Sequence, residues 1–114
     1  MNAKEANVIL RQKARMELRA FQRHLLTQSQ QVVLDHAYEY ATKSDMVTII
    51  GETEFNEEQA KAMLKVPKLL DRLFREYGNH SGNSVDVLLW FMTDKAEAYA
   101  EAKRRQRSHD ITGR

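Results

Sequence analysis

"MVTII", residues 46–50, is the only stretch of this 114-residue chain that reads like a β-strand. Its reading decides the fold class. Four of its five residues are β-branched and suit a pleated surface. A strand of that length needs partners, and no other segment offers one. The run is therefore assigned to a buried helix that continues from the preceding segment and stops at Gly51. With that assignment the chain is predicted to be all-α. We expect one domain over residues 1–114, a bundle of four to five helices with a long N-terminal helix, and a basic end from about residue 103 that is a candidate flexible tail.

Working outward, Ser29 is a good N-cap for the helix that contains "MVTII". Val32, Val33, Ala37, Tyr40 and Ala41 form its apolar face, and "TKSD" at 42–45 is a candidate break. Before it, Leu10, Ala14, Leu18, Phe21 and Leu25 recur at helical spacing, so 3–26 reads as one long helix. At 1.5 Å per residue it spans about 36 Å, long beside a domain whose radius of gyration should be near 13 Å. After it, "GETEFNEEQ" (51–59) holds four carboxylates, Glu52, Glu54, Glu57 and Glu58. Within it, Asn56 and Gln59 form a capping box for a helix with Ala60, Met63 and Leu64 inward. "VP" at 66–67 interrupts that helix, because the residue before proline is pushed from helical angles. Pro67 then suits the first turn of a helix over 67–77, with Leu69, Leu70, Leu73 and Phe74 inward and Gly78 as its C-cap. "GNHSGNS" is a loop. Ser84 is expected to cap a last helix with Val85, Leu88, Leu89, Met92, Ala96 and Tyr99 on its inner face.

Composition narrows the class. Apolar content of 42% with 30% charged residues suits a folded soluble domain rather than a disordered chain. The absence of cysteine removes disulfides, thiolate metal sites and Cys nucleophiles, and suits a cytoplasmic protein. No run reaches the ~20 apolar residues of a membrane span. "MNAKEANVIL" lacks the basic-then-apolar order of a secretory signal. The net charge of +2 hides segregation: residues 1–26 carry six basic and two acidic side chains, residues 35–64 two basic and seven acidic, and "KRRQR" (103–107) is basic.

"LTQSQQVVLDHAYEYATKSDM" (25–46) followed by "NEEQAKAMLKVPKLLDRLFREY" (56–77) resembles a small all-helical domain family of unknown function encoded on phages and conjugative elements of Gram-positive gut bacteria. The resemblance covers about residues 10–105. It implies a helical domain in a mobile-element context, and it brings no functional residues with it.

The acidic stretch has two readings. Glu57 and Glu58 fall in a first helical turn, where carboxylates offset the helix dipole. With Asp45, Glu52 and Glu54 they also form an acidic patch wide enough to face a basic partner, in the manner of a phosphate-backbone mimic. Metal binding is not expected: Glu57 and Glu58 diverge by about 100° around a helix of 3.6 residues per turn, and no His sits at ligand spacing. Arg11, Arg15, Arg19 and Arg23 make a basic stripe that could track phosphates, or simply a solvated face. Residues 56–77 have a helix-turn-helix outline, but the usual turn glycine is missing and the first helix is acidic. Loop 78–84 lacks the GK[ST] ending of a phosphate loop. Asp35, His36 and Glu39 could in principle do acid–base chemistry; a surface pair beside a boundary histidine is the plainer reading.

Two apolar features exceed a simple core. Ile9, Met16 and Ala20 lie opposite the inward face of the first helix, and Trp90 lies about 150° from that of the last on a wheel of 100° per residue. A second copy pairing through first helices, or a functional partner, would cover Ile9 and Met16. An exposed Trp is a favoured anchor. Together these readings predict a non-enzymatic binding protein of a mobile element with no cofactor and no metal. It would act on another protein, a candidate target being a host nucleic-acid defence complex such as a CRISPR effector. The alternative is a nucleic-acid-binding regulator that uses the Arg stripe and the basic tail.

Overall fold

The computed structural model describes residues 1–78 and 85–112, with side chains given to residue 107. Among these residues there are six helices and no strand: α1 (Ala3–Leu26), α2 (Gln30–Asp35), α3 (Ala37–Glu52), α4 (Glu57–Leu64), α5 (Leu69–Tyr77) and α6 (Val85–Thr112). "MVTII" is helical and lies inside α3, with Met46, Ile49 and Ile50 buried. The expected loop at 79–84 and the Ser84 cap lie outside the described residues.

Local chemistry sets the starts of α1, α2 and α4. Asn2 and Glu5 form a capping box on α1, as Asn56 and Gln59 do on α4, each satisfying two otherwise unpaired N–H groups. Ser29 Oγ accepts from Val32 N–H at 3.3 Å. Gly78 closes α5 with φ +61° and ψ −145°, angles that glycine adopts at little cost, and donates to Phe74 O.

The core lies where α1, α3, α4, α5 and α6 meet. Leu10 and Ala14 of α1 join Met46 and Ile50 of α3, Ala60 and Met63 of α4, Leu69 and Leu73 of α5, and Met92 and Ala96 of α6. α4 packs against both α1 and α6. The molecule is elongated, 54 × 29 × 29 Å, because α1 and α6 both outrun this core.

α1 organises its neighbours with polar groups as well as apolar ones. Asn7 is buried; its Nδ2 donates to Phe55 O (2.7 Å) and Ala3 O (2.8 Å), and its Oδ1 accepts from Phe55 N–H (3.2 Å). The turn after α3 is thereby held to α1. Arg11 donates to the Ile50 and Thr53 carbonyls at the carboxyl end of α3, where a cation meets the negative end of the dipole. Glu17 accepts from Leu70 N–H at 2.8 Å and so caps α5, which has no cap of its own. The other Glu17 oxygen has no well-angled hydrogen bond, but Lys13 Nζ lies 2.8 Å away, close enough for charge pairing.

Several boundaries differ from expectation. The bundle has six helices rather than four or five, because the segment after Ser29 breaks at His36 and not at "TKSD". At His36 the backbone turns (φ −105°, ψ 10°). His36 Nδ1 bonds Val32 O, and Phe21 of α1 contacts the rings of His36 and Tyr40. "TKSD" stays helical since Thr42 and Lys43 are buried against the bundle. Gly51 lies inside α3, which ends one residue later. α5 begins at Leu69, after Lys68 in a left-handed conformation (φ 49°), so Pro67 precedes the helix instead of opening it. On α6 the buried row is Leu88, Met92, Ala96 and Ala100, while Val85 and Leu89 are exposed; the four-residue spacing rotates the seam away from them. The basic "KRRQR" is part of α6, whose helical backbone runs to Thr112, so the expected tail is helix over this stretch.

Candidate interaction surfaces

The five acidic-patch residues are all exposed but differ in their company. Glu54 pairs with Arg11 (2.9 Å), Glu57 with Lys61 (3.4 Å) and Glu58 with Arg104. Among the described residues, Asp45 and Glu52 make no ion pair. The helix-start reading of Glu57 and Glu58 agrees with their place in the first turn of α4. Among the described residues, no three His, Asp or Glu side chains converge as metal ligands.

The basic stripe divides in the same way. Arg11 is half-buried and serves the end of α3, whereas Arg15, Arg19 and Arg23 are exposed and, among the described residues, unpaired. At the far end of the molecule, Arg104 is gathered by Glu58, Glu97 (2.7 Å) and Glu101 (2.7 Å), and Arg105 by Glu101 (3.3 Å). Hydrogen bonds from Arg104 hold the Glu97 and Glu101 carboxyls below the usual range and raise the Arg104 guanidinium. The stripe lies on α1 and this basic end on α6, and α4 packs against both helices.

The outward side of α1 is unusual for its apolar content. Ile9 is 41% exposed and Met16 60%, and Ala20 is exposed as well. Further along, Leu26 (76%) and Leu34 of α2 (69%) stand in solvent; α2 buries none of its six side chains. Between these elements lies a cleft of about 290 Å³ lined by Gln22, Leu25, Leu26, Val33, Ala37 and Tyr40. Of the apolar face expected for residues 32–41, Val33, Ala37 and Tyr40 thus line an open groove instead of the core, and Val33, Ala37 and Ala41 are exposed. The reason is geometric, since α2 packs on α1 and α3 and on none of the other core helices to a comparable extent. Trp90 of α6 is 70% exposed, between the exposed carboxylates Asp86 and Asp94.

The Asp35, His36 and Glu39 set does not come together. Asp35 accepts from Gln31, His36 is bonded to the backbone, and Glu39 holds Lys43 Nζ at 2.7 Å. Two polar centres went unread in the sequence. Lys43 is buried, pairs with Glu39 and Asp71, and lies 4.0 Å from the centroid of the Phe21 ring. Glu76 accepts from Arg72 (2.8 Å), Lys95 (3.0 Å) and the Tyr99 hydroxyl (3.1 Å). Burial pushes the Glu76 carboxyl up, but those three donors outweigh it and leave the group below its usual range. Burial first, then the Glu76 charge, pushes the Tyr99 phenol up to about 12. Four-residue spacing from Lys43 to Glu39 was visible; Asp71, which completes the pairing, lies 28 residues away.

Residues 6–101 match the family model described as protein of unknown function (DUF3848), and the chain belongs to that family. No curated protein and no solved structure matches it. No helix among the described residues is long and apolar enough to cross a membrane.

Proposed function

We propose that this member of a family without an assigned role is a non-enzymatic binding module. It acts through protein–protein contact on the outward side of α1 and the cleft that α1 forms with α2 and α3. The observation that carries the proposal is the cleft itself, apolar and open, beside Leu26 at 76% exposure and the unpaired Arg15, Arg19 and Arg23. Large apolar side chains grouped on a surface and rimmed by charge mark interaction sites more than scattered single ones do. The rim selects the partner: an amphipathic helix that offers an apolar stripe between carboxylates fits both chemistries. A second copy meeting this face through its own α1 would set arginine rows against each other, which disfavours it as the occupant.

A narrower form of the proposal gives the protein a mobile-element origin and a host nucleic-acid defence complex, such as a CRISPR effector, as target. The acidic patch would then act as a phosphate mimic. Glu54, Glu57 and Glu58 are already offset by cations, which leaves Asp45 and Glu52 for that task and favours α1 as the working surface. The alternative, a nucleic-acid-binding regulator, draws support from Arg15, Arg19 and Arg23 and from Lys103 and Arg107 of α6, but Arg104 and Arg105 of that basic end are held by Glu58, Glu97 and Glu101.

The test is capture of partners from nuclease-treated host lysate by the parent and by two double variants, Leu26→Asp with Val33→Asp and Arg19→Glu with Arg23→Glu. These side chains are outside the core, so circular dichroism should match the parent. The proposal expects a nuclease-resistant partner that both variants lose. Retention by both variants would overturn it; loss of the partner on nuclease treatment would favour the regulator.

A further inference from the structure

The turn between α4 and α5 and the second half of α6 bound a separate cleft of about 250 Å³, lined among others by Lys65, Pro67, Arg72, Tyr99, Lys103 and Gln106. No carboxylate lines it. Lys103, on α6, and Lys65, at the end of α4, both line it, and Lys103 shares a neighbouring groove with Lys61 and Arg107. Burial, then these like charges, hold its ammonium below the usual lysine range. Among the described residues, the acids near it are engaged elsewhere. Glu57 and Glu58 line a neighbouring groove that Lys103 and Arg107 share, but are paired with Lys61 and Arg104. Glu76 already holds the Nε of Arg72, Lys95 and the Tyr99 hydroxyl. Among the described residues, Lys65, Lys103 and Arg107 make no ion pair.

Packing that gathers cations without a counter-charge opposes folding through their repulsion. Nothing in the local sequence demands it: Lys65 and Lys103 are brought together by the packing of α4 on α6. We infer that this cleft is a binding site for a phosphate group, held by the Lys65 and Lys103 ammonium groups with Arg72 and Gln106 as further donors. A phosphate offers nearly two negative charges and several acceptor oxygens to one small volume. Lysine serves such a group as a mobile point charge, and arginine as a planar donor fork. The site lies on α4, α5 and α6, apart from the α1–α2 cleft, and stands independently of the function proposed above.

Thermal unfolding of the full chain tests this, in inorganic phosphate and in adenosine monophosphate, each against sodium chloride at equal ionic strength. A ligand present at ten times its dissociation constant should raise Tm by about 6 °C for a chain of this size. A shift with inorganic phosphate alone identifies free phosphate as sufficient; a shift confined to the nucleotide identifies the phosphate of a small organic monoester. Lys103→Gln should abolish the shift. In chloride it should melt at or above the parent, since the crowding of charge is relieved. Lys4→Gln, at the exposed start of α1, should keep the parental response. No shift of the parent with either ligand, or a full shift in Lys103→Gln, would overturn the inference. So would loss of the shift in Lys4→Gln, which would trace it to overall charge.

Discussion

Replacing Asn7 by alanine should be among the most damaging single changes in this protein, although Asn7 is neither apolar nor part of any motif. The side chain is 1% exposed and satisfies both the N–H and the C=O of Phe55, a residue that is itself 4% exposed. Alanine leaves both backbone groups without a partner. Each buried polar group so orphaned costs about 1–3 kcal/mol. The third bond, to Ala3 O, is expendable, because that carbonyl belongs to the α1 ladder. Taking the middle of the range, with some access for water at a turn, the loss is about 3 kcal/mol. Near 2.1 cal/mol/K of unfolding entropy per residue, that lowers Tm by about 12 °C. Asn7→Asp is an internal control. It keeps an acceptor for Phe55 N–H, but it sets a buried carboxylate against Phe55 O and should cost at least as much. Asn56→Ala, which removes an exposed helix cap, should cost only about 1 kcal/mol. Urea titration of the three variants, followed by circular dichroism, measures all of these. A loss below about 1 kcal/mol for Asn7→Ala would refute the claim that α1 and the 53–56 turn are joined through this side chain.

Lys43→Ala removes three buried methylenes at about 0.8 kcal/mol each and leaves a cavity, so a loss near 3 kcal/mol is expected in the same assay. Lys43→Met keeps the stem, and Asp71 is exposed enough to return to water, so it should cost under about 1.5 kcal/mol; equal losses would show that the charge, not the packing, is what matters. For Tyr99 the folded pKa of about 12 lies above the ordinary value near 10, so its contribution is complete below about pH 10 and is lost as pH rises through about 12. Phenolate absorbance should show late-titrating tyrosines, Tyr99 and the buried Tyr77, whose phenol burial also pushes up, and Glu76→Gln should shift the Tyr99 step downward. The Glu76 pKa is depressed, so its contribution is present above the ordinary value near 4.3 and is lost as pH falls through the folded value, and Tm against pH should lose that acid step in Glu76→Gln.

Helix type and most helix starts were legible in the sequence because their causes are local. A capping box at Asn56 and Gln59, a cap at Ser29 and a left-handed glycine at Gly78 each act within a few residues. The inward faces of α1, α4 and α5 follow from the 3.6-residue period alone, and the helical reading of "MVTII" followed from the lack of any strand to pair with. Tertiary structure decided what no window of neighbouring residues contains. The break at His36 has no glycine or proline to announce it; the rings stacked around Phe21 hold it. Arg11 and Glu54, 43 residues apart, converted part of the basic stripe and part of the acidic patch into one ion pair. Lys43 became a buried residue only because Asp71 and Phe21 meet it. Charges attract over distances set by packing, so composition reveals how many there are, and only the assembled bundle determines which are neutralised and which stay free to bind.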